Sequence, residues 1–173
     1  MEIKKARLED INELVKIYLI AQKHMISEGN INQWNQNEDV FKESIINYIN
    51  NDNFYIVKQA DEIVGFFAMI FGTDKTYNVI KDGSWINNDE YVTIHKIAVK
   101  YHQKGIASFI FDFVCKEALN ANINNIRIDT HKDNISMNSL LNKFGFIKCG
   151  IISITCDYSN DNSLRIAYQK KLK

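Results

Sequence analysis

The sequence predicts an α/β domain in which a mixed, mostly antiparallel sheet of about seven strands is flanked by about four helices. Runs of strands that follow one another directly favour antiparallel pairing. A single strand–helix–strand unit between Tyr91 and Thr130 predicts one parallel pair with a right-handed crossover. The chain has 173 residues, the usual length of one domain, so we expect one domain over residues 1–173.

The first part of the chain is expected to form one strand and two helices. The pattern of Glu2–Ala6 weakly favours a strand. Apolar residues then recur at helical spacing from Ile11 to Ile26, which predicts the first helix. A polar loop over Ser27–Asn37 leads to a short predicted helix over Asp39–Ile49. This order places a loop between two helices ahead of the main run of strands.

A hairpin is predicted next, from Phe54–Val57 and Ile63–Phe71, which are rich in aromatic and β-branched residues. Gly65 inside the second strand indicates a bulge or a close approach of another backbone segment. Residues Gly72–Asp89 form a polar excursion. The remaining elements alternate between strands and helices, and they are the strand Tyr91–Val99, the helix Gly105–Asn120, the strand Ile123–Thr130, the helix Asn134–Phe144 ended by Gly145, and the strands Phe146–Thr155 and Leu164–Lys171.

Composition limits the possible partners. Twenty-one basic residues balance 21 acidic residues, which gives no support for nucleic-acid or membrane-surface binding. Four histidines and three cysteines show no metal-ligand spacing, so we expect no metal. No targeting segment and no apolar stretch long enough to span a bilayer are visible, which predicts a cytoplasmic protein.

The most informative segment is a strand, a short polar turn, a glycine and a helix. A helix N-terminus presents unpaired N–H groups and a partial positive charge, which suit a phosphate. Gly105 lacks the Cβ that would block an anion, Ala107 keeps the first helical turn thin, and Lys104 adds a positive charge. Neither of the two common glycine-rich phosphate motifs is present. An ordinary strand-to-helix turn is the alternative interpretation of these features alone.

Two blocks of sequence resemble one family. His102-Gln103-Lys104-Gly105-Ile106-Ala107 is similar to the acetyl-CoA signature Gln/Arg-x-x-Gly-x-Gly/Ala of the GNAT (GCN5-related N-acetyltransferase) superfamily. The segment from Asn134 to Phe146 resembles the family's Asn-x-x-small-x-x-apolar-Tyr-x-Lys-x-Gly-Phe block. The spacing and the order of elements also match, so the resemblance covers nearly the whole chain. It implies a GNAT-like layered fold and an N-acetyltransferase that uses acetyl-CoA as cosubstrate.

Two positions depart from the family pattern. His102 stands where Gln or Arg is usual, a mild change because the loop binds phosphate mainly through backbone N–H groups. Leu141 stands where many relatives place the tyrosine that protonates the departing thiolate. Leucine cannot donate a proton, so another group does so or the thiolate leaves without a protein acid.

The resemblance implies that acetyl-CoA lies in a cleft between the strands Tyr91–Val99 and Ile123–Thr130. The backbone of the first strand would pair with the pantetheine arm, and one of its N–H groups would polarise the thioester carbonyl. Asn134 is expected near the pantetheine, with a plain helix cap as the alternative, and Lys143 near the 3′-phosphate, with a solvated lysine as the alternative. The expected coenzyme-binding residues are Ile97, Ala98, Val99, His102, Gln103, Lys104, Gly105, Ile106, Ala107, Asn134 and Lys143.

Amine attack on a thioester requires a group that accepts a proton, because alkyl amines are protonated at neutral pH. His95 is the first candidate base, since regular alternation places it on the same face as Ile97 and Val99. His131, at the carboxyl end of a strand, is the second candidate. Structural histidines are the alternative in both cases. Glu90 is a further candidate that could feed a water chain, with an exposed carboxylate as its alternative.

The acceptor is expected to be a primary amine of a small molecule or peptide, and its identity stays open among polyamines, drugs, amino acids, peptide N-termini and lysine side chains. Trp34, in the loop between the first two helices, is the candidate acceptor-binding residue, with ordinary packing as the alternative. The resemblance is compatible with a monomer or a homodimer. A non-catalytic acyl-CoA-binding regulatory module and a purely structural protein of the same fold are the competing interpretations.

Overall fold

The computed structural model describes residues 1–34, 36–102 and 104–172. It contains a seven-stranded, mostly antiparallel mixed sheet with four α-helices, as the sequence predicts. The predicted order of elements is also confirmed. The elements in chain order are β1 (Glu2–Lys5), α1 (Ile11–Ser27), α2 (Glu38–Asn50), β2 (Phe54–Gln59), β3 (Glu62–Phe71), β4 (Val92–Val99), α3 (Ile106–Asn120), β5 (Asn125–Thr130), α4 (Ile135–Lys143), β6 (Ile147–Ser153) and β7 (Leu164–Lys171).

Two compact units make up the chain. The first unit comprises Met1–Ile70 and Ile94–Val114. In this unit β1 pairs with β2 and β2 pairs with β3, both antiparallel, so the predicted hairpin is confirmed. The register shifts after Val57, where Val57 opposes Gly65 and Lys58 opposes Ile63. A β-bulge therefore lies where the glycine predicted one.

The core of the first unit lies where α1 and α2 contact the strands. Leu14, Tyr18 and Ala21 of α1 are buried at helical spacing. Phe41 and Ile45 of α2 are buried one turn apart and join the same cluster. The helix α2 begins at a true cap, because the Asn37 side chain accepts a hydrogen bond from the Val40 amide at 3.0 Å. An apolar face on each helix therefore fixes its position in the unit.

The second unit comprises Phe71–Thr93 together with the chain from Cys115 onwards. Here β7 pairs antiparallel with both β5 and β6, and the predicted pairing of the two final strands is confirmed. Gly145 (φ +76°) follows the last turn of α4 and donates to the Asn142 carbonyl at 3.0 Å. The predicted glycine stop of this helix is therefore present.

The polar excursion that precedes β4 crosses β6 of the second unit at close range. Lys81 and Ile151 exchange both backbone hydrogen bonds, at 2.8 and 2.9 Å. A Cβ at Gly83 would overlap the carbonyl oxygen of Cys149, and one at Gly150 would lie 2.6 Å from the Lys81 carbonyl oxygen. The crossing therefore depends on two glycines that face backbone atoms directly.

Candidate active site in the first unit

The turn between β4 and α3 has the geometry of an anion site. Gly105 adopts a left-handed φ of +75°, and apart from the glycine itself and its two chain neighbours no described atom lies within 4 Å of the position a Cβ would take. The Gly105 carbonyl accepts the first bond of the helix, from the Phe109 amide at 3.0 Å. Helix geometry leaves the amides of Ile106, Ala107 and Ser108 without an acceptor inside the helix. These amides and the helix dipole favour a negatively charged ligand. Gln103, also predicted for this turn, lies outside the described residues.

Gly65 supports the turn from beneath. A Cβ at Gly65 would lie 2.9 Å from the Ala98 carbonyl oxygen and 3.2 Å from Ile106 Cγ2. The strand β3 therefore passes both the end of β4 and the start of α3 at a distance that only glycine allows. The close backbone approach that the sequence predicted at this residue is confirmed. Ala98 and Ile106 are themselves buried, so both ends of the turn are held by packing.

Side chains tie the exposed part of the turn to neighbouring elements. Lys100 Nζ donates to Glu62 Oε1 at 2.6 Å and lies 3.8 Å from Glu13 Oε1. Tyr101 Oη donates to the same Glu62 oxygen at 2.9 Å. The hydrogen bond from Lys100 is the main reason that the pKa of Glu62 lies below its usual value. Lys100 is therefore occupied by carboxylates, while Lys104 is exposed beside Gly105.

His102 is held against a second histidine. The rings of His102 and His24 are 3.6 Å apart between centroids, and His24 Nε2 lies 3.4 Å from Glu28 Oε1. Burial and the charge of His24 lower the pKa of His102, with Glu28 acting in the opposite direction. Sequence reasoning missed His24 because no local pattern connects the end of α1 with the turn. The only local signal was Glu28, one helical turn after His24.

The middle of β4 is irregular at Lys96. This residue has a left-handed φ of +53°, which is uncommon for a residue with a side chain. His95, Lys96 and Ile97 are all half-buried, so the alternation expected of a strand is interrupted there. Regular alternation, which would place His95 on the same face as Ile97, is therefore interrupted between these two residues. His95 lies on β4 beside the turn, and its role as a base stays a prediction.

Trp34 belongs to an aromatic cluster of the first unit. Its ring stacks on Tyr18 at 5.4 Å and lies 6.2 Å from the ring of Phe66. Its carbonyl accepts hydrogen bonds from Tyr18 Oη at 3.1 Å and Gln22 Nε2 at 2.5 Å. The ring is half-buried, and its backbone is left-handed at φ +60°. The structure therefore fixes Trp34 by packing and leaves part of its surface accessible.

The second candidate base, His131, lies in the second unit and is almost fully buried. Burial is the main cause of its lowered pKa, and Arg165 acts in the same direction. Its Nδ1 accepts a hydrogen bond from the Asp133 amide at 3.3 Å. The same nitrogen lies 3.4 Å from Asp133 Oδ2. These contacts fit a histidine held by the segment after β5, and the role of His131 as a base stays a prediction.

The remaining predicted residues of the second unit surround α4. Asn134 caps this helix, because its side chain accepts a hydrogen bond from the Met137 amide at 3.1 Å. Lys143 is exposed in the last turn of the helix. Leu141 is completely buried. The helix-cap interpretation of Asn134 is confirmed, and its contact with a coenzyme stays a prediction.

A family model for the acetyltransferase (GNAT) family matches residues 15–146, which include both resembling blocks in full. The chain belongs to the GNAT acetyltransferase family. It is therefore an acyltransferase by family, as the sequence predicted. No curated protein matches the chain by sequence.

Solved structures agree with the GNAT assignment. A GNAT-family acetyltransferase from Streptococcus agalactiae is 25% identical, with a TM-score of 0.82 over 99% of this chain and 95% of that one. A second acetyltransferase, from Staphylococcus aureus, is 22% identical, with a TM-score of 0.72 over the full length of both chains. A PaiA N-acetyltransferase from Thermoplasma acidophilum, solved with coenzyme A, is 19% identical, with a TM-score of 0.69 over 98% of each chain.

The described residues contain neither a membrane-spanning helix nor a metal-binding cluster. Within residues 1–34, 36–102 and 104–172, no helix has both the length and the hydrophobicity needed to cross a bilayer. In the same ranges, no three His, Cys, Asp or Glu side chains are grouped as metal ligands would be.

Proposed function

We propose that this chain transfers the acetyl group of acetyl-CoA to a primary amine of a small molecule or peptide, by direct attack in a ternary complex. The observation that carries the proposal is the open left-handed turn at Gly105, which leads into the N-terminus of α3. Membership of the GNAT family supports it, since its members use acetyl-CoA. We expect one functional domain over residues 1–173, acting in the cytoplasm as a monomer or homodimer.

The residues of the turn fit the coenzyme. The amides of Ile106 and Ala107 belong to the first turn of α3, directly after the open position at Gly105, and Lys104 is exposed beside it. Both features suit a pyrophosphate. The backbone of Ile97–Val99 would pair with the pantetheine arm, and His102 would line the turn. Asn134 and Lys143 stay predicted coenzyme contacts, each testable with a single alanine variant.

The chain's own residues would then align the amine and move protons. Acetyl-CoA supplies an acyl group activated as a thioester. A backbone N–H of Ile97–Val99 would polarise the thioester carbonyl. The amine nitrogen forms the new C–N bond as the C–S bond breaks and the sulfur leaves as a thiolate. His95 would accept the proton lost by the amine, directly or through a water. His131 is the second candidate for this role.

A thiol-release assay with acetyl-CoA and a panel of primary amines tests the proposal. We expect amine-dependent release of coenzyme thiol and a matching mass increase of 42 Da in one amine. If His95 is the base, His95→Ala lowers kcat about 100-fold or more and leaves the KM for acetyl-CoA nearly unchanged. Full kcat in that variant would transfer the role to another group, and His131→Ala would be measured next.

Leu141 favours one alternative, a non-catalytic acyl-CoA-binding regulatory module. This buried leucine occupies the family position that often carries a proton-donating tyrosine. A protein that binds acetyl-CoA but releases no thiol with any amine would have this function. Leu141→Tyr would distinguish this module from an enzyme that lacks its proton donor. A gain in kcat in the variant would indicate that the missing acid limits turnover.

A further inference from the structure

Lys96 is a cation that the proposed coenzyme site does not use. Its side chain extends over α2, with Nζ 5.9 Å from the Phe41 ring centroid and 6.0 Å from the Tyr48 ring centroid. The residue is half-buried. At these distances the two rings give only weak electrostatic support to an ammonium group. The ammonium group of Lys96 therefore lies near two aromatic rings that do not neutralise its charge.

In the described part of the chain, the Lys96 side chain forms no hydrogen bond and no ion pair. Burial alone lowers its pKa, and no neighbouring charge opposes that effect. By contrast, Lys100, four residues later, is held by Glu62 and Glu13. Lysines are seldom buried without a partner, because the lost hydration costs free energy. The left-handed backbone at Lys96 adds a second cost. Two unfavourable features at one residue favour a functional role.

The position of Lys96 points to the acceptor. It directly precedes Ile97–Val99, the strand segment proposed to hold the pantetheine arm. Its side chain contacts α2, which contributes no residue to the proposed coenzyme-binding turn. Phe41 beneath it stacks on Tyr18 at 4.0 Å, and Tyr18 in turn stacks on Trp34. Lys96 therefore shares one aromatic cluster with the predicted acceptor residue.

We propose that Lys96 binds an anionic group of the acceptor, so that the substrate is an amine that also carries a carboxylate, phosphate or sulfonate. This inference rests on the proposed acetyl transfer and names its substrate class. An anion beside the ammonium would offset the cost of burying it. The same ammonium would repel a polycation, so polyamines are expected to be poor acceptors.

The experiment compares matched amines that differ only in charge. Each amino acid of an α, β and γ series is assayed beside its carboxamide, O-phosphoethanolamine beside ethanolamine, and taurine beside its sulfonamide. We expect kcat/KM to favour the anionic member of at least one pair by about 10- to 100-fold. The series that shows the preference identifies the anion. Equal or better turnover of all neutral members would overturn the inference while leaving acetyl transfer intact.

Variants of Lys96 connect the preference to this side chain. Lys96→Met should abolish the preference for the anionic amine, and Lys96→Arg should retain most of it, since both lysine and arginine carry the charge. Lys116→Met, which removes an exposed lysine from α3, is the matched control and should keep the full preference. A preference that survives in Lys96→Met would contradict the assignment. Melting temperatures would show that all variants are folded.

A binding measurement covers the case in which no amine of the panel turns over. Protein labelled with ¹³C at lysine Cε is titrated with N-acetyl-β-alanine and with its carboxamide, and the Lys96 signal is assigned by its loss in Lys96→Arg. We expect the carboxylate to shift this signal and the carboxamide to leave it in place. Equal responses to both compounds, including no response to either, would overturn the inference. Absence of thiol release from every amine would count only against the proposed acetyl transfer.

Discussion

The turn at Gly105 and the crossing at Gly83 and Gly150 use glycine in opposite ways. In the first unit, Gly105 is left-handed and has open space where a side chain would be. In the second unit, Gly83 and Gly150 face backbone atoms so closely that a methyl group would overlap or crowd them. The crossing of the second unit thus uses its glycines to let two chain segments touch. At Gly105 no such backbone approach occurs, and the proposed function predicts that the coenzyme phosphates bind beside this residue.

This contrast predicts that Gly83 and Gly150 act in packing and that Gly105 acts in ligand binding. Replacing a packing glycine should damage folding and leave ligand affinity of the folded protein unchanged. Replacing a binding glycine should damage affinity more than folding. Gly29, which is left-handed at φ +85° and also open, provides a control for the conformational cost alone.

The largest expected effect is that of Gly83→Ala. The new methyl group would overlap the Cys149 carbonyl oxygen. Because the Cβ and the carbonyl oxygen are both attached directly to the main chain, only a separation of the two chain segments can relieve the overlap. We expect the free energy of unfolding to fall by about 3 kcal/mol or more. Urea unfolding followed by circular dichroism measures this. A loss no greater than that of Gly29→Ala, about 1 kcal/mol, would show that the crossing relaxes easily.

Gly105→Ala should have a smaller effect on folding and a specific effect on binding. A left-handed alanine costs about 1 kcal/mol, the same as at Gly29. The substitution is expected to alter the turn and displace the amides of Ile106 and Ala107. The Kd for acetyl-CoA should therefore rise about 10-fold or more. Calorimetry on both alanine variants measures the difference. Equal Kd values for Gly105→Ala and Gly29→Ala would remove the turn from the coenzyme site.

The histidine pair should make stability depend on pH. The pKa of His102 is lowered in the folded protein, chiefly by burial, so the unfolded chain binds a proton more readily. Stability should therefore be complete above the unfolded pKa of about 6.5 and decline as pH falls through that value toward the lower folded pKa. His102→Gln should reduce this decline, measured as Tm against pH. His131 shares the direction of shift, so part of the decline should remain.

Glu62→Gln should have the smallest effect. The change removes the charge that holds Lys100 and Tyr101 at the turn, but all three residues lie at the surface. We expect a small decrease in Tm that disappears at high salt, because exposed ion pairs are weak and screened. Thermal melts at low and high ionic strength measure it. A large loss that persists at high salt would indicate that the hydrogen bonds, and not the charge, hold the turn.

Local pattern was sufficient to predict the elements, the bulge at Gly65 and the helix stop at Gly145. Apolar spacing gave both N-terminal helices, and strand composition gave the hairpin with its bulge at Gly65. The strand ends differ by one or two residues from expectation, as at β5, which begins at Asn125 instead of Ile123. Gly105 was recognised because strand, turn and helix lie together in sequence.

Long-range contacts could not be predicted in this way. The contact between the His24 and His102 rings joins residues far apart in the chain, and no local pattern connects the end of α1 with the turn. Gly83 meets Cys149 through a polar excursion that has no periodicity. The left-handed Lys96 lies inside an apolar strand pattern that predicts regular alternation. Each of these features follows from tertiary packing, which a single sequence does not display.

Calorimetric titration of the wild-type protein with acetyl-CoA, coenzyme A and adenosine diphosphate tests the central claim most directly. The account predicts one-site binding of acetyl-CoA that is tighter than that of adenosine diphosphate, because Ile97–Val99 would hold the pantetheine arm while the turn at Gly105 holds the phosphates. Absence of acetyl-CoA binding at millimolar concentrations would contradict it. Gly105 would then be an ordinary turn glycine, in spite of the space beside it.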